Sequence, residues 1–299
     1  MSKVVVLGSI NIDLVMETPR FPQIGETILG EKMDYYMGGK GANQAVACAR
    51  MDAEVAMLGA VGTDAFGQQA VEHLKKEKLA VEMIQRVNDE PTGTAAIFRI
   101  GHDNAIVVLP GANRALTDCS ELETLLTAGD ILLVQLEIPL ATVAAGLTIA
   151  KKKQAITILN PAPFAELSAF IDQVDYLTPN ETEFAELAQV AITDENIEAE
   201  MLRWSQKQRT KLIVTRGAAG VSYVEQDRVV TMPTIAVDAV DTTGAGDTFN
   251  GLLAAFLAEY PLAEAIKRAS IGASLSTTKI GAQTGMPTRA EIEQHPALF

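Results

Sequence analysis

Cysteine is nearly absent from these 299 residues: Cys48 and Cys119 are the only two, far apart in the chain. That excludes a disulfide framework and a CxxC redox or zinc pair. Histidine is almost as rare. His73, His102 and His295 have no metal-ligand spacing, so a zinc centre is not expected. Positive charge is also short, with 24 Lys and Arg against 38 Asp and Glu and a net charge of −14. A nucleic-acid partner needs a basic footprint that this balance lacks. The one tight basic cluster, Lys151-Lys-Lys153, falls where a helix should end and suits its negative pole. No apolar run reaches the ~18 residues of a membrane helix, and the start, Met1-Ser-Lys-Val, does not read as a signal peptide. A soluble, reduced, cytoplasmic protein is the expectation. There is no repeat, no low-complexity tract and no flexible linker.

What the chain has is apolar residues, 48% of the total, in short runs between helical ones. Val4–Leu7, Val55–Leu58, Ile131–Leu136, Ile156–Leu159, Tyr176–Leu177 and Leu212–Thr215 read as buried strands. Ala42–Met51, Gly67–Lys78, Leu140–Lys152, Glu181–Gln189, Ile197–Gln208, Ala245–Glu259 and Leu262–Thr277 read as helices. Buried strands alternating with helices predict an α/β fold, a doubly wound, mostly parallel sheet flanked by helices. Residues 14–37 and 93–109 break the rhythm and read as hairpins, the second turning at Gly101-His-Asp-Asn104. They predict a small β-sheet lid on a single domain spanning 1–299. Its uncovered apolar face must close over a ligand or meet another subunit.

The most informative stretch is Val237-Asp-Ala-Val-Asp-Thr-Thr-Gly-Ala-Gly-Asp-Thr-Phe-Asn-Gly251. It reads as a strand-like approach to Asp241, a glycine turn and a helix start. Unpaired amides and the positive dipole end make such a start an anion cradle, which Gly244 and Gly246 leave open to close approach. Asp247 adds a carboxylate beside it. A cradle with a base suits phosphoryl transfer to an alcohol; an ordinary helix cap is the alternative. Gly38-Gly-Lys-Gly-Ala-Asn-Gln44 is a second glycine turn before a helix, with Lys40 and Asn43 as donors for hydroxyls. It is neither a Walker loop nor a dinucleotide fingerprint. Asn11 and Asp13, two apart after the first strand, point the same way and can grip neighbouring hydroxyls, or simply shape a turn. Glu137 follows the run Ile131–Leu136 at a strand's carboxyl end, where such sheets bind ligands. Asn180 and Glu183 match a capping box, or alternatively face a metal–phosphate group. Thr215-Arg-Gly-Ala-Ala-Gly220 is a strand end running into a turn able to pass around a nucleotide.

In this order the segments resemble the ribokinase-like carbohydrate kinase family, of the phosphofructokinase-B type, and its ribokinase branch most. The resemblance spans nearly the whole chain. It rests on Gly8-Ser-Ile-Asn-Ile-Asp13, Gly38–Ala45, Gly59-Ala-Val-Gly-Thr-Asp64, Pro110-Gly-Ala-Asn113, Gln135-Leu-Glu137, Asn160-Pro-Ala-Pro163, Pro179–Glu183, Thr215-Arg-Gly217 and Asp241–Gly251. It implies an enzyme that moves the ATP γ-phosphoryl group to a sugar hydroxymethyl group, D-ribose first among the acceptors. A fructose, deoxysugar or nucleoside kinase, or a non-catalytic regulator, is the competing reading. By resemblance Asp247 is the base, and Gly244, Ala245 and Gly246 form the anion hole. Asn11, Asp13, Gly39, Lys40, Asn43 and Glu137 hold the sugar, together with Asp247. Asn180 and Glu183 lie near the phosphates and Mg²⁺, while Thr215, Gly217, Gly220, Gly246 and Ser270 meet the nucleotide. Ala96, Phe98 and Val107 of the lid bear on sugar selectivity. A K⁺ site is implied between two loops, one with Asp241 and Thr243 and the other with Ser276, Lys279, Gly281 and Gly285. The uncovered face of the lid sheet, for its part, predicts a homodimer through the lid.

Overall fold

A computed structural model describes residues 2–101 and 103–299, without the side chains of residues 103 and 104. The expected turn at 101–104 includes His102, which lies outside the described residues. In chain order the elements are β1 (Val4–Leu7), β2 (Asn11–Glu17), β3 (Lys32–Gly38), α1 (Lys40–Ala49), β4 (Val55–Gly62), α2 (Ala65–Lys76), β5 (Ile84–Val87), β6 (Gly93–Ile100) and β7 (Asp103–Leu109). Then come α3 (Leu122–Leu125), β8 (Ile131–Val134), α4 (Leu140–Lys153), β9 (Ile156–Leu159), β10 (Tyr176–Leu177), α5 (Glu181–Ala188) and α6 (Ile197–Lys207). The chain closes with β11 (Lys211–Thr215), β12 (Val221–Glu225), β13 (Arg228–Met232), α7 (Ala245–Leu257), α8 (Leu262–Ser276) and α9 (Arg289–Glu293).

Nine strands form one sheet in the order β13-β12-β11-β10-β9-β8-β1-β4-β5. All neighbours from β11 to β5 are parallel, and only the β11–β12–β13 edge is antiparallel. Residues of β1 and β8 such as Val4, Val6, Leu132 and Val134 are fully buried, because helices cover both faces. Two apolar clusters result. One packs α1, α7 and α8 on Val4, Val6 and Leu133; the other packs α4, α5 and α6 on Val5, Leu7 and Leu132. Strand order reverses at β1, with β8 on one side and β4 on the other. A crevice outside the carboxyl ends of the strands therefore opens there.

The other four strands pair as β3-β2-β6-β7. The two hairpins are antiparallel, and β2 joins β6 in parallel. Within the small sheet β2 begins at Asn11, paired with Gly38 at the end of β3, so Asn11 and Asp13 belong to it and do not trail from β1. Its register also corrects the expected lid contacts. Asp13 is level with Ala95, and Leu14 with Ala96. Ala96, Phe98 and Val107 thus lie on the face opposite Asp13, whereas Ala95 and Ile97 share its face. A one-residue offset inverts every side chain of a strand, and sequence alone did not set it.

Two further expectations need correction. The approach to Asp241 is irregular from Pro233 to Val240, not a strand; its backbone runs beside α8, where Val240 and Asp241 donate to the Thr277 carbonyl. β12 and β13 carried no sequence expectation. Their turn places Gln226 and Asp227 at φ 49° and 60°, a conformation usually signalled by glycine.

Candidate active site

Asp247 is the third residue of α7, behind an N-cap at Gly244. Gly244 takes φ 76°, and a Cβ there would sit 2.7 Å from the Ala282 side chain. Glycine thus permits both the turn and the packing of the following loop. Asp247 is 7% exposed, with both oxygens engaged: Asn43 Nδ2 donates to Oδ2 at 2.9 Å and Gln44 Nε2 to Oδ1 at 3.0 Å. Gln44 also donates to Asn160 Oδ1 at 3.1 Å and accepts from Gln135 at 2.6 Å. The carboxylate is therefore fixed by two amides of α1.

Three more ionisable groups lie around it. Lys40 opens α1, and Asp247 is the largest influence raising its pKa, against burial. Glu137 accepts from Ser9 Oγ at 2.5 Å and from the Lys40 amide at 3.1 Å. Asp13 is pushed up to about 7, first by burial, then by the negative charges of Glu137 and Asp247, with Lys40 opposing. Its carboxylate lies over Gly38, where a Cβ would stand 2.3–2.5 Å from its oxygens. Gly39 holds φ 88° against the backbone of Ile10 and Asn11. Asn11 is buried and accepts from Asn113 at 2.8 Å. The structure thus brings Asn11, Asp13, Gly39, Lys40, Asn43, Glu137 and Asp247 together between the small sheet and the carboxyl ends of β1 and β8.

A separate cavity of about 440 Å³ opens on the other side of the α7 start. Thr215, Gly217, Gly220, Gly246 and Ser270, all expected at a nucleotide, line it. Thr234, Val237, Thr242 and Ala273 line it too and were not expected. Its wall is uncharged, with many small side chains beside the apolar Val221, Ile235, Val237 and Phe249. Gly220 has φ 96°, and a Cβ there would lie 2.1 Å from the Met232 carbonyl.

Asn180 and Glu183 do form the capping box of α5: the Glu183 amide donates to Asn180 Oδ1 at 2.8 Å and the Asn180 amide to Glu183 Oε2 at 2.9 Å. Neither lines the 440 Å³ cavity. Glu183 nevertheless senses the centre. Burial raises its pKa, Asp247 adds to the rise, and the Asn180 amide and Lys40 oppose it.

Asp241 ties together the two loops expected to hold a cation. It accepts from the Thr243 and Gly281 amides, each at 2.9 Å. Burial disfavours its charge, yet those hydrogen bonds keep its carboxyl below the usual range. Gly285 abuts Ser276, since a Cβ there would fall 2.0 Å from the Ser276 carbonyl. The Lys279 residue is exposed. Sequence reasoning missed Ser9, Gln44, Asn160 and Gln283. Ser9, Gln44 and Asn160 lay inside quoted motifs, and for Gln44 the available signal was a polar residue among the apolar positions of α1.

A pfkB family carbohydrate kinase model matches residues 1–289. Ribokinase of Lactococcus lactis is 41% identical over 98% of this chain and 96% of that protein. Ribokinase of Bacillus subtilis is 40% identical over 98% and 99%. The Arabidopsis thaliana ribokinase structure complexed with ribose and ATP superposes with a TM-score of 0.91, at 30% identity, covering 100% of this chain and 99% of that one. The α/β fold with its added small sheet, the cradle at α7 and a match across nearly the full length agree, and this chain belongs to the pfkB family of carbohydrate kinases, ATP-dependent phosphotransferases.

Proposed function

We propose that the chain phosphorylates D-ribose at its hydroxymethyl group, giving ribose 5-phosphate. The observation that carries this reading is the gathering of Asp13, Glu137, Lys40 and Asp247 under the small sheet, one helix start away from the nucleotide cavity. Asn11, Asp13 and Glu137 orient the ring through its hydroxyls. A site built to bond hydroxyls rejects analogues that lack one, because its own polar groups go unpaired. ATP occupies the cavity at Thr215, Gly217, Gly220 and Ser270, with its phosphates toward the α7 start. Asp247 accepts the proton of the attacking hydroxyl. The amides of Ala245, Gly246 and Asp247 offset charge on the transferring group. The small sheet acts as a lid that excludes water as an acceptor.

Asn180 and Glu183 would meet Mg²⁺ and the phosphates through water. The loops of Asp241–Thr243 and Ser276–Gly285 suit a monovalent cation. Both carboxylate oxygens of Asp241 are occupied by amides, which leaves mainly backbone carbonyls as ligands, and no cluster of three acidic or imidazole groups is found among the described residues. K⁺ held there adds positive field beside the anion hole. Met33, Tyr35, Val107 and Leu109 are 53–63% exposed on the lid face opposite Asp13. That apolar patch supports a lid-to-lid homodimer, and the free, buried Cys48 and Cys119 suit a reducing, cytoplasmic setting.

The test is coupled ADP production from MgATP with D-ribose, 2-deoxyribose, fructose and adenosine, each with and without K⁺. Ribose should give the highest kcat/KM, and K⁺ should raise it. A higher value for any other acceptor overturns the ribose reading.

A further inference from the structure

We propose that Gln283 is a positioning residue for Asp247, the middle link of a one-way hydrogen-bond chain that runs from His73 through Gln283 and Asn43 to the carboxylate. The inference rests on the reading of Asp247 as the base. An ionised carboxylate only accepts, so Asn43 must turn its amino group toward Asp247 Oδ2, 2.9 Å away. Asn43 Oδ1 then faces away and accepts from Gln283 Nε2 at 2.8 Å. Gln283 in turn presents Oε1 to His73 Nε2 at 2.7 Å, which requires a proton on that nitrogen. Each link dictates the direction of the next.

The chain cannot easily rearrange. Asn43, Gln283 and Asp247 are 5%, 6% and 7% exposed, so a reversed amide there finds no water to compensate it. The Gln283 main chain is pinned separately. Its carbonyl and that of Met286 each accept from Arg50 Nη1 at 2.8 Å. Glu77 holds the same guanidinium at 2.8 and 3.0 Å. Lys40, Asp13 and Glu183 act electrostatically with Asp247, and Glu77 with His73. Among these Gln283 is neutral. Its contribution is direction: its amino group and the Asp247 carboxylate fix the Asn43 amide from opposite ends, and a flipped Asn43 sets oxygen against oxygen at the base.

The deciding comparison is Gln283→Glu with Gln283→Leu. Glutamate keeps the shape of glutamine but cannot donate to Asn43 when ionised, so it reverses the chain, whereas leucine only interrupts it. The expected result is a kcat about a hundredfold down for Gln283→Glu and about tenfold down for Gln283→Leu, the range seen when groups that orient a functional residue are lost. ATP KM should stay within about twofold, so that the loss falls on kcat. His73→Gln, which retains a donor, should remain near wild type. A role in filling space predicts the opposite order, with Gln283→Glu harmless; that result overturns the proposal. So does nitrogen NMR of the wild-type protein showing His73 Nε2 unprotonated, a readout that needs no variant to fold. Full kcat in Asp247→Asn rejects the base itself, whereas an inactive Asp247→Asn beside a normal Gln283→Glu rejects only the chain.

Discussion

The two halves of the site are built from different material. The cavity at Thr215, Gly220 and Ser270 is walled by backbone, small side chains and a few apolar ones such as Ile235 and Phe249, and no charged side chain lines it. The cleft under the small sheet holds Asp13, Lys40, Glu137 and Asp247, and Asp13 responds to each of the other three. Shape and backbone suffice for a planar base and a phosphate tail, as at other helix-start anion sites. Discrimination among hydroxyls needs oriented side chains with few alternatives. The cavity should therefore tolerate side-chain change and resist backbone change, and the cleft the reverse.

The sharpest break in that comparison is Asp247→Asn. It should lower kcat by about 10²–10⁴-fold, the usual scale of general-base assistance, with ATP KM nearly unchanged; steady-state kinetics reads both. A wild-type kcat removes the charged half of the contrast. Next is the pH response of the apoprotein. Asp13 is raised from its ordinary value to about 7. The folded state therefore holds a proton that the unfolded chain gives up near pH 4. The stability linked to it is complete below that pH and is lost as pH rises through about 7, on the order of 4 kcal/mol at most. Melting temperatures from pH 4 to 8 should decline less in Asp13→Asn than in wild type, and parallel curves contradict the assignment.

Smaller effects separate the two glycine sets. Gly220→Ala combines φ 96° with a 2.1 Å approach to the Met232 carbonyl. It should cost about 1–3 kcal/mol of stability, read by denaturant titration, and raise ATP KM. Gly38→Ala should raise sugar KM about tenfold, because its methyl group displaces the Asp13 carboxylate and roughly 1.4 kcal/mol is a factor of ten. ATP KM should not move. Gly217→Ala has φ 52° but open space around it, so the cost should stay near 1 kcal/mol. A large loss there means that the turn contacts nucleotide more tightly than its open surroundings indicate.

Much of the fold was legible in advance. β1, β9 and β10 begin and end where the apolar runs do, and α7 starts at Ala245 as read. Buried parallel strands must be apolar throughout, and helices on a sheet must be amphipathic, so local pattern and global position agree. The edge hairpin β12–β13 was missed because its turn uses Gln226 and Asp227 in place of glycine. The approach to Asp241 was misread because apolar alternation also suits a segment lining a cavity.

Glycine-rich turns and the helix start at α7 follow from residue type alone: only glycine tolerates the positive φ of Gly39 and Gly244 at no steric cost, and every helix start exposes amides. Chain order by itself also sets most strands and helices and the two hairpins of the small sheet, since these need only neighbours in sequence. Which side chains of the small sheet share the face of Asp13, and how Gln44, Gln283 and His73 reach Asp247 from as many as 203 residues away, were decided by packing. Register and long-range hydrogen bonds depend on where distant segments land, and that position is written in no single stretch of the chain.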